Sequence, residues 1–122
     1  MQIRRAVPIV STDDPGATRA FYEEFLGFRV AMEEDGLLML VSPSEPTTQV
    51  IVTWRSETAL DPAGRDLTMS IEVDDVDRAY AEAQARGLEI LRPLTNEPWG
   101  IRRFFVRDPS GAAVNVATHS DA

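Results

Sequence analysis

The stretch NEPWGIRRFFVRDPSGAAVNV, Asn96 to Val116, decides the fold. Pro98, Trp99 and Gly100 read as a loop. Ile101 to Arg107 is rich in aromatic and β-branched residues, which suit a pleated, half-buried surface. Asp108-Pro109-Ser110-Gly111 is a turn, because the proline pre-sets its φ and the glycine accepts a positive one. Val114 to Val116 starts a second strand, so the spacing predicts a hairpin.

Working outward, Arg4 to Val10 reads as a first strand, with Pro8 marking an edge or a bulge because it has no N–H for a ladder. Asp14 is a helix N-cap and Pro15 a first helical residue. The helix is expected to run to about Leu26, with Phe21 and Phe25, and Tyr22 and Leu26, forming one apolar face that Gly27 ends. Phe28 to Glu33 and Leu37 to Val41 read as strands around Glu34-Asp35-Gly36, and Gln49 to Trp54 as a fourth. Arg55 to Asp66 contains Pro62 and Gly64, has no periodicity, and reads as a linker. Leu67 to Val73 alternates, with Leu67, Met69, Ile71 and Val73 expected on one side and Thr68, Ser70 and Glu72 on the other. Asp74 or Asp75 caps a second helix whose stripe is Val76, Ala79, Tyr80, Ala83 and Gly87. Leu88 to Leu91 is a short strand before the hairpin.

The two halves match. Arg19-Ala20-Phe21-Tyr22-Glu23 recurs as Arg78-Ala79-Tyr80-Ala81-Glu82, and Gly27-Phe28-Arg29-Val30 as Gly87-Leu88-Glu89-Ile90, at offsets of 59 (78 from 19) and 60 (87 from 27) residues. Each half reads strand, helix, three strands. The chain is thus expected to be a single domain, 1–122, with repeats at about 1–60 and 65–120.

A duplicated βαβββ module closed by an aromatic-Gly loop, a strand, Asp-Pro-x-Gly and a final strand resembles the vicinal oxygen chelate superfamily. That group holds glyoxalase I, the bleomycin resistance proteins and the extradiol dioxygenases. Phe21-Tyr22 to Leu26-Gly27-Phe28 is similar to its F-Y-x-x-x-L-G-F helix, and Pro98-Trp99-Gly100-x-Arg102 is most similar to the bleomycin resistance branch. The resemblance implies an α+β fold of two tandem βαβββ modules, a curved mixed sheet with an open cleft, and a homodimer. Arg103 departs from that branch, which often has an acidic or amide residue there.

Enzymes of this superfamily hold a divalent metal with His, Gln or Glu from the first and last strands of each module. Carried over, those positions fall on Val7, Ile51, Thr68 and Asn115. Two are hydrocarbon, Thr68 is a poor ligand, and Asn115 offers only a neutral carbonyl. No metal or other cofactor is expected on this reading. His119 is the only histidine and reads as a solvated tail residue. Glu72 is left as a candidate general base. Trp99 offers a flat apolar face and one N–H donor. Trp54, at a strand end, reads as core or subunit interface.

Composition narrows the rest. A chain of 122 residues is long enough to bury a real core. It has no cysteine, and all twelve of its Lys-plus-Arg positions are arginine, so thiol and lysine Schiff-base chemistry are excluded. No apolar run approaches the about 18 residues that span a membrane, and no signal-peptide pattern opens the chain, so the cytoplasm is expected. The net charge of −8 disfavours nucleic acid and anionic membranes and steers cations inward. The expected function is metal-free binding of a small natural product or drug, cationic and aromatic, by sequestration. The expected ligand contacts are Trp99, Arg103, Phe105, Thr68, Ser70, Glu72, Asn115, Ile51 and Val7. The alternatives are a glyoxalase-like, metal-dependent lyase, isomerase or dioxygenase, and a non-catalytic regulatory or scaffold module.

Overall fold

The computed structural model describes residues 1–54 and 67–119. The expected linker, Arg55 to Asp66, lies outside them. The described elements are β1 (Ile3–Ser11), α1 (Pro15–Ala20), a π-helical turn (Phe21–Phe25), β2 (Arg29–Glu34), β3 (Leu37–Val41), β4 (Gln49–Thr53), β5 (Leu67–Val73), α2 (Val76–Ala85), β6 (Ile90–Asn96), β7 (Ile101–Arg107) and β8 (Ala113–His119). The order is strand, helix, three strands, twice over: a mixed α+β fold of the expected kind. None of the described helices is long and apolar enough to cross a membrane. The chain divides into two compact units, Val7–Ala59 (the N-unit) and Met1–Ala6 with Leu60–Ala122 (the C-unit).

In the N-unit β3 lies antiparallel between β2 and β4, and β4 pairs parallel with β1 from Ile9 to Ser11. Pro8 falls just before that pairing, where it has no N–H to give a ladder. Alternation turns Leu38 and Leu40 of β3 and Val50 and Val52 of β4 to one face, where they form the core with Tyr22, Phe28 and Trp54 packed against it. Trp54 is therefore a core residue of this unit.

Asp14 caps α1 as expected, its side chain accepting from the Ala17 N–H at 3.0 Å. The helical segment runs to Phe25 and is capped by Leu26, the extent expected, but it changes type: α1 ends at Ala20 and Phe21–Phe25 is a π turn. The Leu26 N–H reaches back five residues to the Phe21 carbonyl at 3.3 Å. The extra residue in that turn separates Tyr22 from Leu26. Tyr22 turns inward, edge-on to Phe28 at 5.8 Å. Phe21, Phe25 and Leu26 face outward at 50%, 73% and 51% exposure, so the expected apolar face is not buried.

In the C-unit β8 pairs parallel with β5 and antiparallel with β7, and β7 antiparallel with β6. The hairpin of β7 and β8 is the one the sequence predicts. Its turn is held by the Asp108 carboxylate, which accepts from Ser110 N–H, Ser110 O–H and Ala112 N–H. Gly111 takes φ 95°. Asp75 is the cap of α2, accepting from the Arg78 N–H. Val76, Ala79 and Ala83 of α2 bury against Val73 and Phe104, with Ile71, Tyr80, Val106 and Val116 packed around them.

Two strand expectations are corrected here. A bulge at Thr68 breaks the alternation of β5, because Leu67 opposes Ala113 and Met69 opposes Val114. Leu67 therefore shares a face with Ser70 and Glu72, not with Ile71 and Val73. The strand expected at Leu88 to Leu91 runs instead from Ile90 to Asn96. Register shifts on both sides of Arg92 let it carry Pro93, as does its place at the end of the sheet order.

Candidate functional site

The C-unit sheet has two faces, and register assigns every side chain to one of them. Ile71, Phe104, Val106 and Val116 lie under α2. The face turned away from α2 carries Arg103 and Phe105 of β7, Asn115 and Ala117 of β8, Ser70 and Glu72 of β5, and Arg92 of β6. The pairs Phe105–Asn115, Asn115–Ser70, Arg103–Ala117 and Phe105–Arg92 fix that set. Sequence alone does not tell which face of β7 is which. The helix decides it by covering Phe104.

Three groupings stand on this face. The first is polar and central: the Asn115 amide N–H donates to the Ser70 hydroxyl at 3.0 Å. Asn115 is 8% exposed, and its carbonyl oxygen is buried with no hydrogen-bond partner among the described residues. Leaving a buried acceptor unpaired costs about 1–3 kcal/mol.

The second is ionic. Glu72 accepts from Arg5 Nε at 2.5 Å, and His119 Nε2 lies 3.6 Å from the same carboxylate oxygen and 3.2 Å from Arg5 Nη2. This corrects the tail reading of His119, which the ladder with Ile101 holds at the end of β8. Glu72 is thus a carboxylate ion-paired with Arg5 and adjoined by the His119 ring.

The third is cationic and aromatic. Glu97 Oε1 accepts from Arg92 at 3.1 Å (Nε) and 2.7 Å (Nη2), and from Arg103 Nε at 3.3 Å. The Arg103 guanidinium lies 4.8 Å from the Phe105 ring centre and 5.3 Å from that of Trp99. Burial lowers the Arg103 pKa, and Glu97 opposes that shift. Burial also pushes the Glu97 carboxyl up, but the Arg92 hydrogen bond and the charges of Arg103 and Arg92 outweigh it, and it sits below the usual carboxylate range. Phe105 is only 1% exposed, so it is the floor of this cluster, whereas Trp99 is 55% exposed at its rim.

Of the expected contacts, Ser70, Glu72, Arg103, Phe105 and Asn115 share this face, with Trp99 at its edge. Thr68 is the bulge residue, and its hydroxyl donates to the Ala113 carbonyl at 3.2 Å. Val7 and Ile51 belong to the N-unit, where Val7 is buried and Ile51 opposes Ile9 and Met39. Arg92, Glu97, Arg5 and His119 were not anticipated. Glu97 had a local signal, an acid beside Pro98-Trp99-Gly100 and ahead of two arginines. Arg92 had none, because its place opposite Phe105 depends on two register shifts.

The metal positions carried over from the resemblance do not fit a metal. The Val7 and Ile51 side chains have no donor atom, and Thr68 and Asn115 offer only a neutral hydroxyl and a neutral carbonyl oxygen. Among the described residues no three His, Asp or Glu side chains converge.

A family model described as Glyoxalase/Bleomycin resistance protein/Dioxygenase superfamily matches residues 3–116. No curated protein matches the chain. Solved structures share the fold. A member of the same superfamily from Vibrio splendidus 12B01 superposes with TM-score 0.71 at 19% identity, covering 96% of this chain and 99% of that one. A hypothetical protein from Bacillus halodurans C-125 gives TM-score 0.77 at 13% identity, covering 100% and 98%. An uncharacterized protein from Methanosarcina mazei gives TM-score 0.64 at 26% identity, covering 100% and 97%.

Proposed function

The chain belongs to the glyoxalase/bleomycin resistance protein/dioxygenase superfamily, and we propose that it binds a small aromatic molecule on the C-unit face turned away from α2 and holds it without chemical change. The observation that carries this reading is the buried Asn115 carbonyl oxygen, without a partner among the described residues and set between Ser70 and Phe105. A ligand O–H or N–H would satisfy it. Trp99 presents an exposed indole for stacking at the rim. Sequestration, as in the bleomycin resistance branch, needs affinity and no catalytic group. Glu72, the one general-base candidate, is engaged by Arg5 and adjoins His119. The proposed working form is a cytoplasmic homodimer, which sedimentation velocity of the purified chain tests.

Thermal shift across aromatic natural products of each charge class tests the binding itself. A ligand at 100 times its Kd adds about 2.7 kcal/mol. Asn115→Ala is expected to remove most of that gain, and a panel with no stabilising member overturns the reading. The enzyme alternative has one observation behind it, the approach of His119 to Glu72. Elemental analysis after incubation with nickel, zinc, manganese and iron separates the two. Near one ion per chain, lost on replacing Asn115 or Glu72, ends the sequestration reading and points to a glyoxalase-like enzyme.

A further inference from the structure

The Arg103 guanidinium is bound on only one of its three nitrogens. Its Nε donates to Glu97, while Phe105 and Trp99 flank it at 4.8 and 5.3 Å. Its two terminal amino groups have no hydrogen-bond partner among the described residues, and the side chain keeps 12% exposure. Glu97 is also the partner of Arg92, so two cations share one carboxylate, itself 7% exposed. A desolvated surplus cation is costly, and a second anion relieves it.

The net charge of −8 does not describe this cluster. Residues 13–35, all in the N-unit, hold seven acidic side chains against two arginines, a local net of −5. The acid surplus that would draw a cation is therefore concentrated in the other unit.

Resting on the binding reading above, we infer that the ligand is an aromatic acid whose carboxylate, or a similar planar anion, is gripped by the free edge of Arg103. A planar fork with two parallel donors matches a carboxylate bidentately. Phe105 stands opposite Asn115, and Arg103 lies two residues along β7. At about 3.4 Å per residue, the backbone positions of Arg103 and Phe105 are about 7 Å apart along the strand, and the Arg103 guanidinium reaches back over the Phe105 ring. The favoured ligand carries an acid group and, separately, a hydroxyl or amine proton.

The test uses three matched probes on the full chain: 2-naphthoate, 2-naphthamide and 2-naphthylmethylammonium, by calorimetry, with the Trp99 indole N–H followed by NMR. Naphthoate is expected to bind at least about tenfold tighter than the amide, with the ammonium weakest, and to shift the Trp99 resonance. Arg103→Gln should abolish the preference for naphthoate. Arg103→Lys, which keeps the charge and loses the fork, should weaken naphthoate about tenfold and leave the amide unchanged, so a folding defect in one variant leaves the other informative. Amide or ammonium binding as tightly as naphthoate overturns the anion assignment and leaves the binding reading standing. Binding by none of the three overturns both.

Discussion

The two helical segments come from one repeated stretch of sequence, yet they meet different fates. In the C-unit the stripe of α2 buries Val76, Ala79 and Ala83 against Phe104, and Tyr80 meets Phe104 edge-on at 5.0 Å. In the N-unit α1 stops after six residues and passes into a π turn that turns two phenyl rings and Leu26 outward. At the offset of 59 residues Ala79 matches Ala20, but Ala81, Ala83 and Gln84 match Tyr22, Glu24 and Phe25. The C-unit copy buries Ala79 and Ala83 on its sheet, while the N-unit copy carries larger side chains through its π turn, of which only Tyr22 is packed on the core. Local chemistry is shared by both copies; packing is not.

Paired substitutions break or sharpen that comparison. The largest effect is expected for Phe104→Ala, at about 3–5 kcal/mol by denaturant unfolding, because the ring is fully buried. Phe25→Ala, at an exposed ring of the N-unit helical segment, should change stability by no more than about 0.5 kcal/mol. Comparable losses would mean that Phe25 is covered in solution.

The next pair tests the ionic contrast. Glu97→Gln removes charge-assisted bonds to two arginines and is expected to cost about 1.5–3 kcal/mol at neutral pH. Glu23→Gln in the N-unit removes a solvent-accessible i,i+4 partner of Arg19, which keeps its pair with Glu33, and should cost clearly less than Glu97→Gln. Because the Glu97 pKa is lowered on folding, its contribution is present above the unfolded carboxylate value of about 4.3 and is lost as pH falls through the folded value. The gap between wild type and Glu97→Gln should therefore close in acid. A gap that widens there would refute the ion-pair account.

The third pair is expected to be equal. Gly27 and Gly87 end their helices at φ 83° and 69°, and a Cβ at either would meet nothing within 4 Å. Gly27→Ala and Gly87→Ala should each cost about 1–2 kcal/mol through backbone strain alone. Matching losses, read from chemical unfolding, would locate the difference between the two copies in packing and not in the backbone.

Much of this protein was legible in the chain alone. The duplicated strand–helix–three-strand order, the caps at Asp14 and Asp75, the glycine stops and the hairpin around Asp108-Pro109-Ser110-Gly111 follow from interactions within a few residues. Ser70 and Asn115 were both anticipated, and they meet. Only the tertiary structure decided which face of β7 is covered, because that depends on where α2 lies. It also decided the bulge at Thr68, the π turn after Ala20, and the gathering of Arg92, Glu97 and Arg103 around Phe105. These depend on partners far apart in the chain, and a one-residue shift in register, which local sequence does not encode, turns a side chain to the opposite face.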